Sequence, residues 1–215
     1  NKGFEFTINS VNVAGKNFQW TSSFNIGFNK GKILSFFSGM EVRQQGWGMS
    51  GGQTAWIAKV GGPIAEFYGY TWNGCYQYAD FDKLANGTYS LKNGIPTYSA
   101  SIQPGDAKYK DINGDGTIGA ADQVIVGNPN PDVIFGFSTN LSFKGFDLST
   151  FWSGTQGNDI YNVSRLSFEN PLGQRNLYEG VVNRWSPTNP SNQYVSAAQG
   201  GRLPVSDYAL EDGSY

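Results

Sequence analysis

The sequence predicts an all-β chain that forms part of a large antiparallel transmembrane β-barrel with long extracellular loops. Three observations carry that prediction. Runs of more than ten residues alternate apolar and polar side chains, the polar side of those runs is nearly free of charge, and two tight hairpins are separated by a very long excursion. Composition agrees: of 215 residues 29 are Gly and 15% are aromatic, while only 15% are charged, a profile of strands and long loops rather than of helices.

The first hairpin, about residues 4–29, opens with Phe4, Phe6 and Ile8 alternating with Glu5, Thr7 and Asn9. The link Ala14-Gly15-Lys16 leads into the clearest run of the sequence. There Phe18, Trp20, Ser22, Phe24, Ile26 and Phe28 alternate with Asn17, Gln19, Thr21, Ser23, Asn25, Gly27 and Asn29. Period two over thirteen residues is a long strand with one apolar face. The second hairpin, about 133–153, repeats the design. Val133, Phe135, Phe137, Leu141 and Phe143 oppose Gly136, Ser138, Asn140, Ser142 and Lys144, a turn follows at Lys144-Gly145, and Phe146, Leu148, Thr150 and Trp152 then alternate with Asp147, Ser149 and Ser153.

Strands of soluble sandwiches usually run about five to six residues and carry Lys and Glu outside. Here the polar face is Asn, Ser, Thr, Gly and Gln, which suits a lipid-facing wall around a polar lumen; the competing reading is a large antiparallel sheet packed on another layer. The excursions, about 38–131 and 155–215, contrast with links of two to four residues inside the hairpins, the asymmetry of bacterial outer-membrane barrels. Four strands cannot close such a barrel, whose smallest members have about eight, so the sequence reads as a piece of a larger chain, and residues 210–215 stop without a terminal strand. Asn1-Lys2-Gly3 leads straight into Phe4-Glu5-Phe6 without the features of a signal peptide, and no run of about 18 apolar residues marks a transmembrane helix.

One motif carries sharp chemistry. From Asp111 the chain reads Asp-Ile-Asn-Gly-Asp-Gly-Thr-Ile-Gly-Ala-Ala-Asp, with oxygen side chains at positions 1, 3 and 5, Gly116 at 6 and a carboxylate at 12. Calcium takes six to eight oxygens in a flexible shell. Asp111, Asn113 and Asp115 are expected to supply side-chain oxygens, Thr117 its carbonyl and Asp122 one or two oxygens, while Gly116 permits the sharp turn. The terminal Asp, in place of the Glu of a helix-loop-helix hand, is the choice of dockerin loops, and Gln103-Pro104-Gly105-Asp106 breaks the chain upstream. The expectation is therefore a structural calcium loop rather than a sensor; the alternative is a metal-free cluster of Asx turns.

Other residues define what is excluded. With no histidine, Ser-His-Asp and Cys-His triads and His-bearing zinc sites are ruled out. The single cysteine, Cys75, has no intrachain disulfide partner and is expected to be a small buried residue. A net charge of −2 leaves no basic footprint for nucleic acid. Asp147 with Asp159, or Glu66 with Asp80 and Asp82, could pair as glycosidase carboxylates, but acidic residues in loops are mostly solvated and none is expected to be catalytic. Trp47, Trp56, Phe67, Tyr68, Tyr70, Trp72, Tyr76 and Tyr78 crowd the first excursion, where packing among loops competes with stacking on sugars or peptides. Residues 177–185 read as a short helix ending before Pro187.

Several stretches together resemble one family. Lys108-Tyr109-Lys110 running into the 111–116 motif, then Val126-Gly127-Asn128-Pro129-Asn130-Pro131, then Phe135 through Leu148, resemble the C-terminal barrel region of SusC/RagA-type TonB-dependent outer-membrane transporters. Lys2-Gly3-Phe4-Glu5-Phe6-Thr7, the block from Gly62 to Tyr70, and Arg184-Trp185-Ser186-Pro187-Thr188-Asn189-Pro190 match in the same order. The resemblance implies a 22-stranded barrel in the bacterial outer membrane with an N-terminal plug, energised through the TonB complex and importing oligosaccharides or peptides. It also implies a SusD-like surface lipoprotein as a lid, and it puts the plug, the TonB box and the signal peptide outside these residues. Two other readings stand beside it: a secreted calcium-stabilised all-β carbohydrate-binding module or adhesin, and a calcium-stabilised glycoside hydrolase.

Overall fold

The computed structural model describes residues 1–37, 42–46, 54–171, 176–197 and 204–215. Its strands in chain order are β1 (Lys2–Ala14), β2 (Phe18–Lys30), β3 (Val42–Gly46), β4 (Thr54–Lys59), β5 (Glu66–Gly69), β6 (Trp72–Cys75), β7 (Phe81–Lys83), β8 (Tyr89–Leu91), β9 (Ala107–Tyr109), β10 (Val124–Gly127), β11 (Val133–Phe143), β12 (Phe146–Gln156), β13 (Asp159–Tyr161) and β14 (Leu210–Asp212). One short α-helix, α1, spans Val163–Phe168. Among the described residues no helix is long and apolar enough to cross a membrane.

The long strands form one antiparallel sheet in the order β1-β2-β11-β12. Register carries the alternation of each strand across the sheet, because side chains point to one face at every second residue. Ile8, Phe24, Phe137 and Trp152 lie in one cross-strand row, and Phe6, Ile26 and Phe135 in the next. Trp20, Leu141 and Leu148 form another, with Phe18, Phe143 and Phe146 at the turn end. From Phe18 to Phe28 the chain advances about 33 Å at ~3.3 Å per residue, or about 25 Å along the axis of a barrel whose strands tilt 35–45°, the height of an outer-membrane apolar band. Ser10, Ser22, Thr139 and Thr150 cross this band as a hydroxyl row. There the Trp20 indole N–H donates to Thr139 Oγ1 at 2.8 Å, so neither polar group faces hydrocarbon unpaired.

The opposite face carries Thr7, Asn25, Gly136 and Ser153 in one row and Asn9, Ser23 and Ser138 in the next. Three apolar side chains break it: Phe151, opposite Ser138 and 71% exposed, Ile134, and Val11 of β1. β1 has a bulge between Val11 and Val13, so that Val11 faces Thr21 on the polar side while Val13 faces Trp20 on the apolar side. The β11–β12 turn is two residues with positive φ at both, 49° for Lys144 and 87° for Gly145. That is the mirror-image turn whose twist matches a hairpin, and a glycine at its second position adopts it without strain.

The excursions fold into a body beyond the open ends of the wall. Their strands make a sheet in the order β10-β5-β4-β3 and the pairs β6-β9, β7-β8 and β13-β14. Three apolar clusters hold it. Cys75, Ala107, Tyr109, Ile118, Trp185, Val195 and Tyr208 form the first; Ala55, Phe67, Tyr161, Val205 and Ala209 the second; Tyr76, Phe81 and Ile102 the third. The first two mix residues from both excursions. The interlock is also made in backbone: Tyr70 N donates to Val205 O at 2.9 Å and Asp207 N to Tyr70 O at 3.1 Å. Residues 177–185 form a 3-10 helix over Glu179–Asn183 rather than a longer helix, and α1 is an element the sequence pattern did not announce.

Candidate functional site

The 111–122 segment is a tight loop held by its own side chains. Asp111 Oδ1 accepts from Gly114 N at 2.7 Å and Oδ2 from Gly116 N at 2.8 Å. Asn113 Oδ1 accepts from Asp115 N at 2.9 Å, and Asp115 Oδ1 from Thr117 N at 2.7 Å. Each short oxygen side chain thus turns the backbone two to five residues on, which curls the segment. Asp122 clasps the ends together: Oδ1 accepts from Ile112 N at 2.8 Å and Asn113 N at 3.3 Å, and Oδ2 from Gly119 N at 2.7 Å. The Gly119 N–H, with those of Ile112 and Asn113, holds the Asp122 carboxyl below its ordinary value of 3.8 despite complete burial. The loop is buttressed by residue 97, since Thr97 N donates to Gly116 O and Ile118 N to Thr97 O.

The donor chemistry of this loop fits a hard cation. Three carboxylates and one amide oxygen share twelve residues, and no salt bridge among the described residues neutralises Asp111, Asp115 or Asp122. Without an ion their oxygens serve backbone N–H groups, and among the described residues no three His, Cys, Asp or Glu side chains converge as a ligand set.

A second feature lies where wall meets body. A cleft of about 420 Å3 is lined by Asn29 and Lys30 of β2, Glu66 of β5, and Asn128, Asn130 and Asp132 of the link into β11. A neighbouring hollow of about 370 Å3 continues along Glu5, Thr7, Asn25 and Gly27 and shares Asn29, Pro131 and Ile134 with the cleft. The link itself is fixed. Asn130 Nδ2 donates to Ala65 O at 3.0 Å, Asn128 N to Asp159 Oδ2 at 2.7 Å, and Asp132 N to Gln156 O at 2.9 Å. The Asn128-Pro129-Asn130-Pro131 run is visible in sequence, but its role in lining this mouth depends on pairings between distant segments.

The remaining candidates take structural roles. The Cys75 Sγ–H points at Tyr194 O, 3.6 Å away, and burial pushes the thiol up to about 12. Asp80 pairs with Lys108 at 3.1 Å and caps Gln77 N, which removes it from any acid/base pair. Asp147 and Asp159 stand at opposite ends of β12, on the order of 30 Å apart and far beyond the 5–9.5 Å of glycosidase carboxylates. Phe67, Trp72 and Tyr76 are packed into the body, with Phe67–Tyr161 and Trp72–Tyr208 rings 5.6 and 4.8 Å apart; Trp47 lies outside the described residues. A buried group unannounced by the sequence joins α1 to the body. Arg165 Nε contacts Glu169 at 3.2 Å, its guanidinium lies 4.8 Å over the Tyr208 ring, and the Tyr208 hydroxyl donates to Glu169 at 2.5 Å.

An apolar outer face of membrane height, a hydrated inner face, short turns at one end and a folded body at the other define a segment of a transmembrane β-barrel with structured loops. No protein-family model matches the chain. It is 33% identical over 216 residues to TonB-dependent receptor P3 of Formosa agariphila and 35% identical over 225 residues to TonB-dependent receptor P26 of the same organism. These matches cover 100% of the chain and 20% and 21% of the two receptors. TonB-dependent receptor SusC of Bacteroides thetaiotaomicron is 26% identical over 219 residues, 100% of the chain and 19% of SusC. In fold the chain is similar to the RagAB peptide transporter, with a TM-score of 0.68 at 17% identity over 99% of the chain and 21% of that structure. The RagAB importer in its open-open state gives 0.65 at 20% identity, over 99% of the chain and 20% of the structure. The chain belongs to the SusC/RagA-type TonB-dependent receptors of the outer membrane, and spans about a fifth of the length of the relatives it matches. Those relatives are receptors and transporters, not enzymes, so the hydrolase reading falls.

Proposed function

We propose that the whole protein imports oligosaccharides or peptides across the outer membrane, driven through the TonB complex. This chain supplies four strands of its barrel and a rigid part of its extracellular mouth. A SusD-like surface lipoprotein sits over the loop body and hands cargo to the lumen. The observation that carries this reading is the junction itself, where a polar wall with few charges opens directly beneath a packed loop body. Such a body offers a lipoprotein lid a fixed seat, whereas loose loops would have to be ordered at each closure, at about 1–2 kcal/mol per residue.

Calcium belongs to the same proposal. Asp111, Asn113, Asp115, Thr117 and Asp122 would hold the ion, which supplies charge neutralisation and stiffness to the 111–122 loop and no chemistry on cargo. The test uses the full-length protein in its native outer membrane. Uptake of labelled oligosaccharide or peptide that stops when TonB is deleted, with a surface lipoprotein co-purifying in detergent, supports the reading; unchanged uptake without TonB sinks it. For the loop, chelation followed by calcium addition should restore hydrogen-exchange protection at 111–122, and indifference to both treatments removes calcium from the account.

A further inference from the structure

The sequence contains four Asn-Gly steps, at Asn73, Asn86, Asn93 and Asn113. Each holds the ingredients of one uncatalysed reaction, since glycine leaves its backbone nitrogen unshielded beside a side-chain amide. The fold treats the four differently. Gly74 is buried within β6, packed against Asn192. The Asn86 Oδ1 accepts from Thr88 N at 3.0 Å and Thr88 Oγ1 at 2.7 Å, while Gly87 N donates to Leu84 O at 2.9 Å. Asn113 is tied through both side-chain atoms to Asp115, and Gly114 N donates to Asp111 Oδ1 at 2.7 Å. At the third step, Asn93 and Gly94 are both exposed, and among the described residues neither the Asn93 side chain nor Gly94 N has a hydrogen-bond partner. A Cβ on Gly94 would meet nothing within 4 Å, and the turn around the pair is closed by one long bond, Ile95 N to Lys92 O at 3.3 Å.

We infer that Asn93 is the site of spontaneous deamidation in the native protein, and that the fold protects the other three Asn-Gly steps. Solvent base takes the proton from Gly94 N, which attacks Asn93 Cγ. The new N–C bond closes a succinimide, and the bond from Cγ to the amide nitrogen Nδ2 breaks to release ammonia, its extra proton coming from water. Water then opens the ring at either carbonyl to leave Asp or isoaspartate; the net change consumes one water and releases one ammonia. The isoaspartate product adds a methylene to the backbone four residues before Thr97, the residue that buttresses the 111–122 loop. Ageing of this turn therefore reaches the residue that braces the 111–122 loop.

The test is peptide mapping of full-length protein held folded in detergent at mildly alkaline pH, beside a sample unfolded in urea. Trypsin cuts after Lys83, Lys92 and Lys108, which puts Asn86 and Asn93 in separate peptides, each holding a single asparagine. In the folded protein the Asn93 peptide is expected to convert several-fold faster than the Asn86 peptide, with the two rates converging on unfolding. Equal rates in the folded protein, faster conversion at Asn86, or conversion at neither site until the protein is unfolded would each overturn the assignment.

Discussion

In the wall, Phe24 and Phe137 sit opposite each other on β2 and β11 and face outward, on a side where Trp152 stays 65% exposed. In the loop body, Phe67 and Tyr161 meet across the two excursions and are buried. The same kind of side group serves two solvents. Lipid accepts the wall's rings, so wall strands need only backbone pairing and a consistent face. Water surrounds the body, so its rings must find one another, and short strands that are individually marginal are held by shared clusters. Disturbing one region should therefore leave a signature that the other does not share.

The largest effect is expected in the body. Phe67→Ala empties a buried position, at a cost of about 3–5 kcal/mol. It should strip hydrogen-exchange protection from both excursions of the full-length protein while outer-membrane assembly, read by heat-modifiable mobility, stays near normal. Phe24→Arg tests the converse. It puts a charge near the middle of the apolar band, at about 2–4 kcal/mol, and should reduce assembled barrel, whereas Asn25→Arg on the polar face should assemble normally. Equal damage from the two arginines would reverse the assignment of faces.

Asp122→Ala should be smaller and local. Three backbone N–H groups lose a charged acceptor, at about 1.5–3 kcal/mol, and proteolysis should begin within 111–122 while the wall is unaffected. The same carboxylate sets a pH response. Because its folded value lies below 3.8, its stabilisation is complete above the unfolded value and fades only as pH falls through the depressed one. Loop protection that persists at pH 5 and declines below about 3.8 is the expected profile. Asp207 shifts the other way, raised chiefly by burial, so its contribution is greatest in acid and is lost as pH rises through its folded value. The smallest effect is chemical: Cys75 should resist alkylation at neutral pH in the folded protein and react on unfolding, since burial, aided by the nearby Asp106 carboxylate, holds its thiol near 12.

The wall was legible because its signal is local. Alternation from Phe18 to Phe28 and from Phe135 to Phe143 names a face without any knowledge of a partner strand, and Lys144-Gly145 marks its own turn. The 111–122 loop was legible for the same reason, its oxygens being spaced within one short segment. The role of Asp122 as a clasp on Ile112, Asn113 and Gly119 was not, because a carboxylate at position 12 reads the same whichever N–H groups it meets.

The sequence by itself determined the period of the long strands, the chemistry of their two faces and the content of the loop. Tertiary structure alone decided the rest. It set the bulge that returns Val13 to the apolar side, the seating of residues 205–207 on Tyr70, the Arg165–Glu169–Tyr208 group and the mouth between Asn29 and Asn130. The physical reason is range. Alternation is fixed by backbone geometry one residue at a time, whereas Tyr70 and Val205 meet only after more than a hundred intervening residues have packed, and nothing local in either names the other.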